Sequence, residues 1–157
     1  MPLLLFVCTG NTCRSAMAEA MLRTKLRKGS TWTVASAGTG TLHGGPASYN
    51  SVAVAKEIGI DLTRHRSRAL TPALVRSADI IVPMTSGHFD YIVLRCPEAR
   101  EKILLMGSFL HPNSNPAAPS DIPDIDDPCG GTLDDYRQTR DEILCAIPNL
   151  IDYLNHL

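Results

Sequence analysis

The sequence has little net charge of either sign. Fifteen Lys and Arg stand against sixteen Asp and Glu in 157 residues, so no global basic field draws the chain to nucleic acid. No apolar run approaches the roughly 20 residues needed to span a bilayer, and no membrane partner is expected. The opening MPLLLFVC is apolar for only a few residues and lacks both the basic flank and the length of a signal peptide. Five cysteines, Cys8, Cys13, Cys96, Cys129 and Cys145, are an odd number and too sparse for a secreted disulfide framework. The expected location is therefore cytoplasmic. No CxxC pair or Cys/His cluster has the spacing of a structural zinc site, so neither a metal nor a cofactor is expected. The GxxxxGK[ST] pattern of nucleotide-binding loops is missing, and there is no internal repeat.

An apolar content of 44% suffices for one substantial core, so residues 1–157 are expected to form a single domain. Residues 3–7 are a short apolar run without alternation, as in a strand covered on both faces. After a turn at 9–11, Met17, Met21 and Leu22 recur at helical spacing over 15–28, and Gly29 offers a stop. A strand over 31–37, a helix over 47–57 and a helix over 72–77 opened by Thr71-Pro72 follow. The pattern continues with a buried strand at 79–84, a helix at 86–95 and a short fourth strand at 103–106. Residues 107–131 read as a long loop rich in Pro, Asn and Asp, and loops of that length in compact domains usually carry function. Thr132 and Asp135 frame an acidic capping box for the last helix, which Pro148 should kink or divide. Alternating strands and helices of this kind predict an α/β fold in three layers, with a parallel sheet between helices.

The segment VCTGNTCRS joins the first strand to the first helix. It sets Cys8 five residues ahead of Arg14, with Thr9, Gly10, Asn11, Thr12 and Cys13 between. A C-x5-R match alone is weak, but the strand-to-helix context lets successive N–H groups wrap one tetrahedral anion at a helix N-terminus. Gly10 permits a tight or left-handed conformation, and the Arg14 fork can hold two phosphoryl oxygens. The field that welcomes phosphate also stabilises a thiolate at Cys8, ready to attack phosphorus and form a thiophosphate that water later resolves. The ordinary alternative is an inert buried cysteine, which explains neither the glycine nor Arg14. Ser15 can donate toward sulfur or serve as an N-cap, and Asn11 shapes the loop. A leaving group needs a proton. Asp127, in the turn before Pro128, is the best-placed donor in the acidic loop, with Asp124 and Asp126 as alternates and simple solvation as the competing reading.

VCTGNTCRS and MAEA at 17–20, with SAGT at 36–39, GID and HRSR within 59–68, and DPCGG at 127–131, resemble the low-molecular-weight protein-tyrosine phosphatase family in order along nearly the whole chain. The resemblance implies a four-stranded parallel sheet flanked by helices. It implies Cys8 as nucleophile, Arg14 as phosphate and transition-state ligand, Ser15 as thiolate support, and Asp127 as general acid and then base. Asn11 and His65 resemble partners that fix the cradle from behind, and Cys13 the partner of a protective disulfide with Cys8. Thr12 and the stretch YRQTRDEI at 136–143 resemble the protein-arginine phosphatase branch. Cys129 stands where the family usually has an aromatic, and a variable-loop tryptophan is replaced at about Leu42, with Tyr49 a candidate rim residue in compensation.

The implied substrate is a phosphorylated protein or peptide carrying phosphotyrosine or phosphoarginine, with inorganic phosphate as product. The chain is expected as a monomer or weak homodimer. Two other readings share the anion loop. An arsenate reductase needs a closely spaced cysteine relay, which Cys96 and Cys129 do not form. A non-catalytic phosphate-binding module would tolerate Cys8→Ser.

Overall fold

The protein is described by a computed structural model, which covers residues 1–111 and 121–157. The sheet order is β2-β1-β3, with β1 Leu3–Cys8 central, β2 Thr33–Gly38 and β3 Ile80–Pro83 at its sides, and all pairings parallel. Helices α1 Arg14–Lys25, α2 Tyr49–Lys56, α3 Pro72–Ser77, α4 Ser86–Arg95 and α5 Leu133–Asn155 surround it, with 3-10 turns at Pro97–Lys102 and Met106–Phe109.

The period of two along each strand divides the core between the faces of the sheet. Leu4, Phe6, Val34, Ile80 and Val82 pack with Met17, Met21, Val54, Ile143, Ile147 and Leu150, beneath α1, α2 and α5. Leu5, Val7, Ala35, Ala37 and Ile81 pack with Val75, Phe89 and Ile92 on the side of α3 and α4. β1 is buried on both faces, which accounts for its unbroken apolar run. Each large side chain so buried, Phe6 for example, contributes about 1.5–3 kcal/mol.

The expected fourth strand is not formed as such: among the described residues the sheet has three strands. Ile103 makes a single parallel bridge to Ile81, with the Leu104 N–H donating to the Ile81 carbonyl at 2.8 Å. The 3-10 turns on either side leave the 103–106 run too few extended residues for a ladder, and Met106 already belongs to the second turn. Pro148 does not divide the last helix, which runs unbroken for 23 residues because Ile147 and Leu150 remain buried on both sides of it. The Thr132–Asp135 capping box is present. Helix α1 ends at Lys25, with Leu26 already extended, before Gly29 is reached. Of the long loop over 107–131, residues 112–120 lie outside the described residues.

Candidate active site

β1 ends at Cys8 and α1 begins at Arg14, so the five intervening residues form a loop at the C-terminal edge of the sheet. The N-cap of α1 is Cys13, whose side chain makes no capping bond. The first N–H groups of α1 therefore face the loop without a side-chain acceptor, the condition for anion binding at a helix start.

Asn11, not Gly10, takes the left-handed conformation here, with φ 53°. Asparagine tolerates this region better than most residues, and a network holds it there. Its Nδ2 donates to Ser15 Oγ and to Ser36 Oγ, each at 2.8 Å. Its Oδ1 accepts from the Arg68 N–H at 2.9 Å. His65 Nε2 lies 2.6 Å from the Asn11 carbonyl; a carbonyl only accepts, so Nε2 donates, and Nδ1 lies 3.7 Å from Glu19 Oε2. Gly38 allows the close approach of the neighbouring strand end: a Cβ there would lie 2.5 Å from the Thr9 carbonyl oxygen.

Cys8 is buried, with Ser15 Oγ 2.9 Å from its sulfur and the Asn11 N–H donating to it at 3.3 Å. Because Ser15 Oγ already accepts from Asn11, its own proton is free to point at sulfur. Two donors aimed at one sulfur suit an anionic thiolate. Ser15 lies inside α1 and is not its N-cap. Cys13 is also buried; burial pushes its thiol up to about 12, opposed by a hydrogen bond from Ser51. All five cysteines are free thiols, so a bond between Cys13 and Cys8 would start from a neutral, enclosed Cys13.

Arg14 is 3% exposed. One terminal nitrogen donates to the Ile125 carbonyl at 3.0 Å, and the other stands 3.6 Å from Asp127 Oδ2. Its Nε is buried without a protein partner. An unmet buried donor costs about 1–3 kcal/mol, which an anion in the cradle would offset. The Asp127 side chain is about half exposed, with Oδ1 held by the Cys129 N–H at 3.0 Å. Asp124 is drawn away, its Oδ1 accepting from the Ser86 N–H at the start of α4, and Asp126 is exposed, tied to α5 through its carbonyl. Of the three aspartates, Asp127 is the one paired with Arg14.

The Thr12 carbonyl accepts from the Ser48 N–H at 2.9 Å, so the start of α2 lies against the loop, and the adjacent Tyr49 is largely in solvent. Leu42 is also exposed, its carbonyl bonded by Ser67 rather than by the loop. Cys129 is exposed beside Asp127. Among the described residues no three His, Cys, Asp or Glu side chains are grouped to hold a metal ion, and no helix is long and apolar enough to cross a membrane.

Sequence reasoning missed Ser36, the Arg68 amide and Glu19 behind the loop, and the buried His88 beside it. Thr85 caps α4 by accepting from the His88 N–H; that Thr-x-x-His spacing was the available signal for His88. Burial, with the Arg14 charge second, pushes His88 down to about 4. An unfolded histidine titrates near 6.5, so between these values only the unfolded chain gains the proton. The stabilisation is complete above about pH 6.5 and is lost as pH falls toward 4. Urea unfolding at pH 7 and pH 5 should show a loss on the order of 2 kcal/mol from this group, and His88→Gln should flatten that part of the slope. An unchanged slope in the variant would refute the assignment.

A sulfur met by one amide and one hydroxyl, with a buried guanidinium and an acid close by, fits transfer of a tetrahedral oxyanion by a cysteine-dependent phosphatase. The chain belongs to the family described as low molecular weight phosphotyrosine protein phosphatase, matched over residues 3–156. It is 41% identical over 151 residues to a protein-arginine-phosphatase of Geobacillus stearothermophilus, covering 96% of this chain and 95% of the relative. It is 37% identical over 113 residues to the low molecular weight protein-tyrosine-phosphatase Etp of Escherichia coli strain K12, covering 72% and 74% respectively. The solved YwlE arginine phosphatase from Geobacillus stearothermophilus superposes with a TM-score of 0.86 at 39% identity, covering 99% of this chain and 94% of that one.

Proposed function

We propose that this phosphatase acts on phosphoarginine in proteins in preference to phosphotyrosine, through a covalent intermediate on Cys8. The observation that carries the chemistry is the pair of donors on the Cys8 sulfur beside the buried, unpartnered Nε of Arg14. Sulfur attacks phosphorus, the S–P bond forms as the P–N bond breaks, and Asp127 gives its proton to the departing guanidine nitrogen. Water then attacks phosphorus and Asp127 takes up its proton; the S–P bond breaks, returning the Cys8 thiolate and inorganic phosphate. Arg14 holds the equatorial oxygens in both steps. Ser15 supports the thiolate, and Asn11 and His65 hold the loop from behind.

The substrate preference rests on the walls. Thr12 offers a small polar side chain where a larger aliphatic one would build an aryl surface, and Cys129 and Leu42 supply no aromatic ring for stacking on a phenol. The likeness to a named protein-arginine-phosphatase over almost the full chain agrees with this. An arsenate reductase is disfavoured because Cys96 packs in the core on the sheet face opposite Cys8, so Cys96 and exposed Cys129 form no closely spaced pair to relay a disulfide. Residues 1–157 act as one catalytic domain in this reading, and five free thiols suit a reducing cytoplasm.

The test is kcat/KM for matched phosphoarginine and phosphotyrosine peptides near neutral pH. We expect at least about tenfold preference for phosphoarginine, reduced by Thr12→Ile. A preference for phosphotyrosine would move the specificity to the region of Leu42 and Tyr49 and overturn this assignment.

A further inference from the structure

His88 is buried and has both ring nitrogens within reach of threonine hydroxyls: Nε2 is 2.9 Å from Thr9 Oγ1, and Nδ1 is 2.9 Å from Thr85 Oγ1. Thr9 follows the nucleophile directly and is exposed, whereas Thr85 is half-buried at the N-cap of α4. The imidazole thus braces the first residue of the cradle against a helix that meets no other part of that loop through these bonds.

The hydrogen bonds indicate which way this brace is polarised. Thr85 Oγ1 already accepts from the His88 N–H at 3.2 Å, and we take its own proton to be donated to Nδ1, 2.9 Å away. Neutral imidazole carries one proton, which then sits on Nε2 and is donated to Thr9 Oγ1. The Thr9 hydroxyl, fixed in one rotamer by this bond, keeps its own proton on the exposed side. The Thr9 carbonyl is held independently by the Gly40 N–H at 3.0 Å, so side chain and backbone of this residue are fixed from two directions.

We propose that His88 is a positioning residue of the phosphatase reaction, which locks Thr9 and so sets the orientation of the first N–H groups of the cradle. The proposal rests on the Cys8 cradle being the reacting site. A ground-state phosphate is shared among many donors and tolerates a small misalignment of one edge. The flattened phosphoryl group of the transition state does not, so the effect should fall on kcat rather than on KM.

The test uses p-nitrophenyl phosphate, whose leaving group makes little demand on the general acid. Thr9→Val removes only the hydroxyl of an exposed residue, and His88→Asn keeps a group near Nδ1 while losing the one at Nε2. Each should lower kcat about tenfold, the loss of one hydrogen bond of ordinary strength, with KM changed less than about twofold. The combined variant should be no worse than either alone. His88→Gln, whose amide reaches the Nε2 position, should recover most of the loss. An undiminished kcat in Thr9→Val, or losses that multiply in the combined variant, would overturn the proposal. So would equal losses in His88→Asn and His88→Gln that follow their melting temperatures. Failure of the site itself reads differently: Cys8→Ser would then retain turnover.

Discussion

Cys8→Ser is expected to lower kcat by at least about 10⁴-fold while inorganic phosphate still binds within a few-fold of its original affinity. The asymmetry follows from how the two tasks are divided. Binding belongs to the uncapped start of α1 and to Arg14, neither of which needs sulfur. Turnover needs a strong nucleophile at the base of the loop, and a serine hydroxyl there has no neighbouring base to take its proton. Ser15 cannot serve, because the Asn11 amide already occupies it as a donor and its own proton is the one directed at position 8. Calorimetry with phosphate and steady-state hydrolysis on the same preparation measure both quantities. Full turnover in the variant would remove the covalent mechanism; loss of both turnover and phosphate binding would show that the substitution collapsed the loop.

The part of this site that was legible in the sequence is the part that is contiguous in it. Cys8, Arg14 and Ser15 lie within one strand-to-helix turn, so their spacing fixes their relation once the strand and the helix are recognised. The supports are another matter. Asn11 is held by Ser36, Arg68 and His65, which arrive from β2 and the segment before α3; the family resemblance implied His65, but composition carries no sign of the other two. Ser36 was open to notice as a polar residue on the core face of a buried strand. His88 sits on an otherwise ordinary helix and gains its role only from the approach of Thr9.

Two local readings failed for specific reasons. Gly10 looked like the residue with unusual backbone because glycine carries no steric penalty, yet the left-handed position fell to Asn11, whose side chain is satisfied on both its oxygen and its nitrogen. Side-chain hydrogen bonding outweighed intrinsic freedom. The apolar run at 103–106 looked like a fourth strand because a short hydrophobic stretch does not reveal how many ladder bonds it will make. With 3-10 turns on both sides, Ile103 spends its burial on a single bridge.

Asp127→Asn is expected to lower kcat/KM for a phosphoarginine or phosphotyrosine peptide by about 10²–10³-fold and to lower kcat/KM for p-nitrophenyl phosphate far less. Asparagine keeps the size of the side chain and can still accept from the Cys129 N–H, as Asp127 Oδ1 does, so the turn should survive. What it cannot do is deliver a proton to a departing nitrogen or oxygen, or receive one from water. An ester whose leaving group departs readily as an anion needs the first service little, so the ratio between substrates isolates proton donation from any distortion of the loop. Asp126→Asn supplies the comparison from the adjacent position, since Asp126 is exposed and meets α5 through its carbonyl alone among the described bonds. The pairing of Asp127 with Arg14 at 3.6 Å gives a second expectation. Loss of the carboxylate charge leaves Arg14 less neutralised, so inorganic phosphate should bind Asp127→Asn at least as tightly as it binds the parent. Slow turnover, a strong dependence on the leaving group and undiminished phosphate affinity together are the signature of a lost general acid. A large loss in Asp126→Asn, or an Asp127→Asn protein whose kcat/KM falls equally on both substrates, would assign the proton to another group.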